Sequence, residues 1–369
     1  MAGDLPYSKK TGERHGAIQI KTRDKVGKMN KTLLSAAIGA AVLGFASAAS
    51  AATLDDVKAK GFVQCGVNTG LAGFAQPDSA GNWKGFDVDY CKAVAAAIFG
   101  DVTKVKYTPT TAQSRFTALQ SGEIDLLARN TTWTVNRDTA LGFNFRYVNY
   151  YDGQGFMVPK SLNVKSALEL SGAAVCVQSG TTTELNLADY FKANKLEYKP
   201  VVFEKLEEVN AAYQAGRCDV YTTDQSGLYS LRLSLAKPDD HIILPEIISK
   251  EPLAPAVRQG DDKWFDIVTW AGFALVQAEE FGITQANVDQ IKAGSTNPDV
   301  RRFLGVEKDT KIGTDLGLTN DWAYNIVKGV GNYGEVFERN IGASTPLKIQ
   351  RGLNALWTKG GLQYAPPVR

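Results

Sequence analysis

The chain has 369 residues, 44% hydrophobic and 22% charged, a globular composition long enough for about two domains or lobes. Its formal charge of +2 is uneven: residues 1–51 hold eight Lys/Arg and three Asp/Glu, leaving 33 basic and 36 acidic residues downstream. No basic run follows that segment, so nucleic acid is not expected as a partner.

The N-terminal stretch "MNKTLLSAAIGAAVLGFASAASAATLDD" has the parts of an export signal. Lys31 is a positive n-region, Leu33 to Phe45 a short apolar core, and Ala49-Ser50-Ala51 a small-x-small site. The apolar run is too short and too rich in Ala and Gly for a membrane anchor. Cleavage near Ala51 and a soluble periplasmic product in a Gram-negative cell are expected, with Met29 or Met1 as the start. No cysteine lies at the cleavage site, so no lipid anchor is expected, and no later stretch is long and apolar enough to span a bilayer.

Downstream, "FVQCGVN" (62–68) alternates as a strand does, and "GFDVDYCKAVAAAIFG" (85–100) has a helix pattern closed by Gly100, with Val94, Ala97 and Ile98 on one face. "KVKYTPT" predicts a second strand. "SRFTALQSGEIDLLARN" predicts a short helix, a turn at Gly122 and a buried strand from Ile124 to Ala128. The pattern then restarts. "AAVCVQSGTTTELNLADYFKANK" reads as strand, tight loop and helix; "KPVVFEK", "LEEVNAAYQAG" and "RCDVYTTDQSGLYSLRLSLAK" continue as strand, helix, strand and helix. Strands alternating with helices predict a mostly parallel sheet covered on both faces.

Two extended stretches, "RYVNYYDGQGFMVP" (146–159) and "SKEPLAPAVRQG" (249–260), flank the second unit. They predict that the chain passes into a second lobe and returns, leaving a two-stranded hinge. Trp264, Ile267, Val268, Ala271, Ala274 and Leu275 then mark one helical face. The expected division is an N-terminal extension and signal at 1–51, the first part of lobe 1 at 52–153, lobe 2 at 154–253, and the return to lobe 1 with a C-terminal helical extension at 254–369.

Four cysteines in an oxidising compartment favour two disulfides, and four allow three pairings. Cys65 and Cys91 fall in the first unit, and Cys176 and Cys218 on two strands of the second. The hypothesis is Cys65–Cys91 and Cys176–Cys218, because the other pairings would staple lobe to lobe; four buried thiols are the alternative. With no C-x-x-C and only His241 after the signal, neither a zinc site nor His-based triad catalysis is expected.

"GFDVDYCKAVAAAI", "RFTALQSGEIDLL", "NTTWTVNR" and "VQSGTTTE…GRCDVYTTDQSGL" occur in this order. Together they resemble the family 3 solute-binding proteins of polar amino-acid ABC transporters. "GNYGEVFERNIG…RGLNALWTKGGLQYAPP" resembles the general L-amino acid-binding subgroup. Tyr90 departs from the family pattern, which has an aliphatic residue or Phe there. The resemblance implies an α/β, two-lobed periplasmic-binding-protein fold of class II type with a two-stranded hinge and extra C-terminal helices. It implies a monomeric, cofactor-free binder of L-α-amino acids, of a broad polar range including Glu, Gln, Asp and Asn, that delivers its ligand to membrane permease subunits.

Ligands in open α/β sheets sit outside the C-terminal strand edge, where Asn130, Thr132 and Arg137 are expected. Arg137 offers a planar fork suited to a carboxylate, or it pairs with its neighbour Asp138. In proteins the chain resembles, the positions matching Arg137 and Thr132 hold the α-carboxylate, and that matching Asn130 presents a carbonyl to the α-ammonium. Thr132 can donate through amide and hydroxyl.

In the second unit, Thr181 and Thr182 lie at a helix N-terminus, which favours an anion, with Thr183 as the cap; alternatively the stretch simply caps the helix with Glu184 nearby. Asp224, ending its strand, matches the position that accepts from the α-ammonium, or caps the following helix. Asn68, Leu71, Ala112, Ser114, Arg115, Gln178 and Thr223 match side-chain pocket positions. Asn68 is neutral where some relatives are acidic. Arg115 either meets an acidic ligand side chain or is a solvated helix arginine. Trp133, Tyr150 and Tyr151 either shield the ligand or pack near the hinge. The competing class is an enzyme on the same fold, such as a prephenate or arogenate dehydratase, but neither Glu123 nor His241 is placed as its acid or base.

Overall fold

The structure, a computed structural model, describes residues 52–369. The signal segment, its cleavage site and the choice of start lie outside the described residues.

The first sheet has three parallel strands in the order Val105–Thr110, Val63–Asn68, Leu126–Leu127. Helix Phe86–Phe99 packs against it, with Val94 and Ala97 buried and Ile98 half-buried at its edge. Glycines in the left-handed region end this helix and the next, Ser114–Ser121: Gly100 at φ 68 and Gly122 at φ 80. The third strand is shorter than the Ile124–Ala128 run, because only Leu126 and Leu127 pair with the first strand. Beyond it, Leu127 exchanges two 2.9 Å backbone bonds with Ala256 of the returning chain.

The second sheet has five strands in the order Lys199–Phe203, Ala174–Gln178, Val220–Asp224, Gln154–Pro159, His241–Ile243. Four run one way and Gln154–Pro159 runs against them. This agrees with the mostly parallel sheet expected, and Gln154–Pro159 is the exception. It enters directly from the hinge with no crossover helix before it, and a parallel pair needs such a crossover.

Between the sheets, Tyr150–Asp152 pairs antiparallel with Glu251–Leu253. These are the two connecting strands expected from the extended stretches. The helix Asp262–Glu280 follows, capped by Asp261, whose side chain accepts from the Trp264 amide at 2.9 Å. It buries the predicted face from Trp264 to Leu275. Gly272 lets Tyr147 lie against it: a Cβ there would stand 2.2 Å from the Tyr147 ring. Tyr90, the departure from the family pattern, stacks on Tyr147 and donates to the Val268 carbonyl at 2.6 Å.

The C-terminal helices Trp322–Val330 and Tyr333–Asn340 close over the first lobe. The tail also reaches the connecting strands: Gln363 donates to the Val148 carbonyl at 3.1 Å, and Tyr333 to the Asn149 carbonyl at 2.8 Å. No helix among the described residues is long and apolar enough to cross a membrane. Cys65 and Cys91 are bonded, with Cα atoms 6.2 Å apart, as are Cys176 and Cys218 at 5.6 Å. Cys218 lies just before its strand rather than on it.

Candidate functional site

The two sheets direct their C-terminal edges at one cleft, and the lobes touch across it. Thr132 and Thr182 bring their hydroxyls to 3.3 Å, Gln113 donates to the Ser179 hydroxyl at 3.0 Å, and Ser230 to the Ala72 carbonyl at 2.8 Å. Gly180 (φ 73) permits the approach at Gln113, since a Cβ there would lie 2.7 Å from Gln113 Cγ.

Arg137 lies in a single π-helical turn, Asn136–Ala140, after the strand Leu126–Leu127. Such turns recur at functional positions. Its Nη1 donates to the Thr132 carbonyl at 2.8 Å, and the guanidinium lies 5.1 Å from the centre of the Phe116 ring. Asp138 does not pair with it; that carboxylate accepts from Trp133 Nε1 at 2.9 Å. Arg115 lies 4.7 Å from the Phe116 ring centre. It is only 3% exposed, which removes the solvated-arginine alternative. It donates from Nη1 to Thr131 Oγ1 at 3.3 Å, and its buried Nε has no protein partner.

A third arginine, Arg129, was missed. It is buried, donates from Nε to the Thr110 carbonyl at 3.2 Å and leaves Nη2 unpartnered. Burial lowers the pKa of all three; that of Arg129 falls to about 10, with Asp87 opposing the shift. Arg115 is further depressed by Arg137 and Arg129. Three buried cations repelling one another make a site that gains from an anion. The signal was available: an arginine directly follows the apolar run "LLA" at a strand exit.

Asp224 faces them from the second sheet. It is 7% exposed, and among the described residues no side chain or amide donates to its carboxylate. It does not cap the helix Gln225–Ser234 that follows. Burial pushes its pKa well above the carboxylate range, Asp152 and Glu251 add to the rise, and Arg115 and Arg137 oppose it. An unpartnered buried carboxylate is costly unless a cation meets it.

The helix Thr182–Ala193 supplies the other wall. Thr181 is its N-cap: Oγ1 accepts from the Glu184 amide at 3.1 Å and donates to the Gln178 carbonyl at 2.7 Å. Thr183 therefore does not cap, since its hydroxyl instead meets that of Thr181 at 2.9 Å. The expected donor role of the Thr132 hydroxyl toward a ligand is also corrected. It donates to Glu251 Oε2 at 2.6 Å, which uses its single hydrogen.

Among the remaining candidates, Asn68 and Asn130 join side chain to side chain at 3.1 Å. Asn130 has φ 35 and donates its amide to Asp87, whose pKa burial raises to about 6. Gln178 is tied by Nε2 to the Glu204 carbonyl at 2.8 Å. Ser114 is exposed and exchanges hydrogen bonds with Thr111. Leu71 and Ala112 are buried and Thr223 is half-buried. Trp133 stacks on Phe145, and Tyr150 packs with Phe74, Phe86 and Phe337. Glu123 is exposed, and His241 meets the Tyr213 hydroxyl at 2.8 Å on the edge strand of the second sheet.

Glu251 was also missed. It lies on the return strand, which reads in the sequence as a connector, and it is buried with four donors around it.

Two α/β lobes joined by paired strands, shut on a cleft with arginines on one side and an unpartnered aspartate on the other, define a two-lobed binding protein. Residues 63–285 match the family model described as bacterial extracellular solute-binding proteins, family 3, and the chain belongs to that family. It is 81% identical over 342 residues to the general L-amino acid-binding periplasmic protein AapJ of Rhizobium johnstonii, covering 92% of this chain and 100% of that one. It is 58% identical to the glutamate/glutamine/aspartate/asparagine-binding protein BztA of Rhodobacter capsulatus, over 92% of this chain and 100% of that one. Among solved structures, an ABC transporter periplasmic binding protein from Brucella ovis with glutathione bound superposes with a TM-score of 0.85 at 69% identity, covering 86% of this chain and all of that one. The relatives carry the names of binding proteins rather than enzymes.

Proposed function

We propose that this protein is the periplasmic substrate-binding component of an ABC importer, capturing L-α-amino acids by lobe closure and delivering them to membrane permease subunits. The observation that carries the reading is the unpartnered, buried Asp224 carboxylate across the cleft from Arg137 and Arg115. A zwitterionic α-amino acid satisfies both signs at once: its carboxylate meets Arg137, the Thr132 amide and the Thr182 end of the helix, and its ammonium meets Asp224 and the Asn130 carbonyl. Asn68, Arg115 and Gln178 line the side-chain end, with Thr181 shaping the loop as its cap. The names of the AapJ and BztA relatives support a broad range that includes Glu, Gln, Asp and Asn.

In this reading, 52–153 and 254–369 make lobe 1 and its extension, and 154–253 makes lobe 2. Residues 1–51 are the extension and signal removed near Ala51 on export to the periplasm. A monomer that acts without nucleic acid or cofactor is part of the same proposal. Calorimetry across the twenty amino acids and glutathione, whose γ-glutamyl end carries the same two groups, tests it. Saturable binding of several polar L-amino acids is expected. Heat-silent titrations throughout, with turnover of prephenate, would replace the reading with the enzymatic one.

A further inference from the structure

Glu251 begins the return strand of the hinge, opposite Asp152 in the ladder, and is 1% exposed. Its Oε2 accepts from Thr132 Oγ1 at 2.6 Å and from Thr182 Oγ1 at 2.8 Å. Its Oε1 accepts from Ser249 Oγ at 2.6 Å and Asn186 Nδ2 at 2.8 Å. An ionised carboxylate has about four acceptor positions, so this one is saturated. The donors come from three places. Thr132 belongs to the first lobe, Thr182 and Asn186 to the first two turns of a second-lobe helix, and Ser249 to the connection itself.

We infer that Glu251 is a closure latch: a hinge carboxylate whose hydrogen-bond shell is complete only when the two lobes meet, and which orients the hydroxyls that face the ligand. The inference rests on the cleft being a ligand site that opens and closes. Thr132 and Thr182 reach the same oxygen from opposite walls, so opening removes at least one of them. Charge-assisted bonds are the stronger kind, and the latch therefore stabilises the closed state whatever the ligand's side chain. It also sets polarity. Both threonine hydroxyls spend their hydrogens on Glu251, so toward a ligand they accept, and the ligand's carboxylate is left to guanidinium and amide donors.

The latch acts on the closed population and on hydroxyls that face the part shared by all α-amino acids, so its loss weakens all ligands by about one factor, expressed in dissociation. The test is Glu251→Gln, which puts an amide donor among donors, read by stopped-flow dissociation of glutamate and of glutamine and by the distance between one probe on each lobe. The expected result is dissociation faster by roughly 10-fold for both ligands, with a larger open fraction in the unliganded protein. Asn186→Ala removes a latch donor outside the proposed ligand set, and combined with Glu251→Gln it should add little. An unchanged dissociation rate in Glu251→Gln, or effects of the two substitutions that simply multiply, overturns the latch. If Glu251→Gln does not fold, Asn186→Ala carries the test alone: faster release supports the latch and an unchanged rate overturns it. If the wild type binds no amino acid, the cleft reading fails, and identical inter-lobe distances in wild type and Glu251→Gln would separately dispose of the latch.

Discussion

Asn354 exchanges two hydrogen bonds with the backbone of Tyr151: Oδ1 accepts from the Tyr151 amide at 2.7 Å, and Nδ2 donates to the Tyr151 carbonyl at 3.1 Å. A side chain of the C-terminal extension thus completes the open edge of a hinge strand, where Asn354 itself is buried. Edge strands otherwise present unpaired backbone groups. Asn354→Ala should strand both Tyr151 groups and lower stability by about 1–3 kcal/mol, read as a lower denaturant midpoint at constant slope. A midpoint equal to wild type would mean that the extension merely lies beside the hinge.

Arg115 is held over Phe116 with a buried Nε that no protein group accepts. Arg115→Ala should weaken glutamate and aspartate by roughly 10-fold or more while sparing neutral amino acids, because only an acidic side chain offers a second carboxylate. Competition binding with glutamate and glutamine measures this selectivity. An equal loss for both ligands would assign Arg115 to shaping the cleft instead.

The alternation of strand and helix was legible because period-2 and period-3.6 patterns are local. Helix Phe86–Phe99 and strand Val63–Asn68 fall within one residue of the ends read from their segments. The direction of Gln154–Pro159 was not legible, because it depends on which lobe the chain has just left. Choosing Thr181 over Thr183 as cap turns on the backbone of one residue, Thr181 at φ −112, among three identical side chains. Arg137 and Asp224 could be singled out because the motifs "NTTWTVNR" and "CDVYTTDQSGL" that hold them carry the resemblance, and Arg137 lies downstream of, and Asp224 ends, a strand whose C-terminal end faces the cleft. Glu251 could not, because its four donors lie 2 to 119 residues away in sequence and only the closed fold gathers them.

Burial holds a proton on Asp224 above the ordinary carboxylate value of 3.8, with Asp152 and Glu251 reinforcing it. A ligand ammonium favours the ionised form and lowers the raised value of the free protein, so binding should release a proton in the window between the ligand-bound value and that raised value. Affinity should rise with pH across that window and fall as acid protonates Asp224. Calorimetry in two buffers of different ionisation enthalpy counts the proton. Proton uptake, or none, would place the ammonium elsewhere.

The disulfides close loops with sequence separations of 26 and 42 residues, each within one sheet's lobe. In the chain-entropy model each contributes about 3–4 kcal/mol. Reduction should therefore lower the melting temperature substantially while ligand-induced closure persists in the protein that remains folded. Peptide mapping of the unreduced protein should return Cys65–Cys91 and Cys176–Cys218, and a bridge such as Cys65–Cys176 would be incompatible with an opening hinge.

The central claim is that Arg137 from one lobe and Asp224 from the other read the two charges of one α-amino acid. Titrating glutamine into Arg137→Ala and Asp224→Asn by calorimetry tests it most directly, since glutamine has no side-chain charge to obscure the result. Each charge-assisted contact contributes on the order of 1.5–3 kcal/mol, so each variant should bind at least roughly 10-fold more weakly than wild type, with far-ultraviolet circular dichroism unchanged. Wild-type affinity for glutamine in Arg137→Ala would contradict the account.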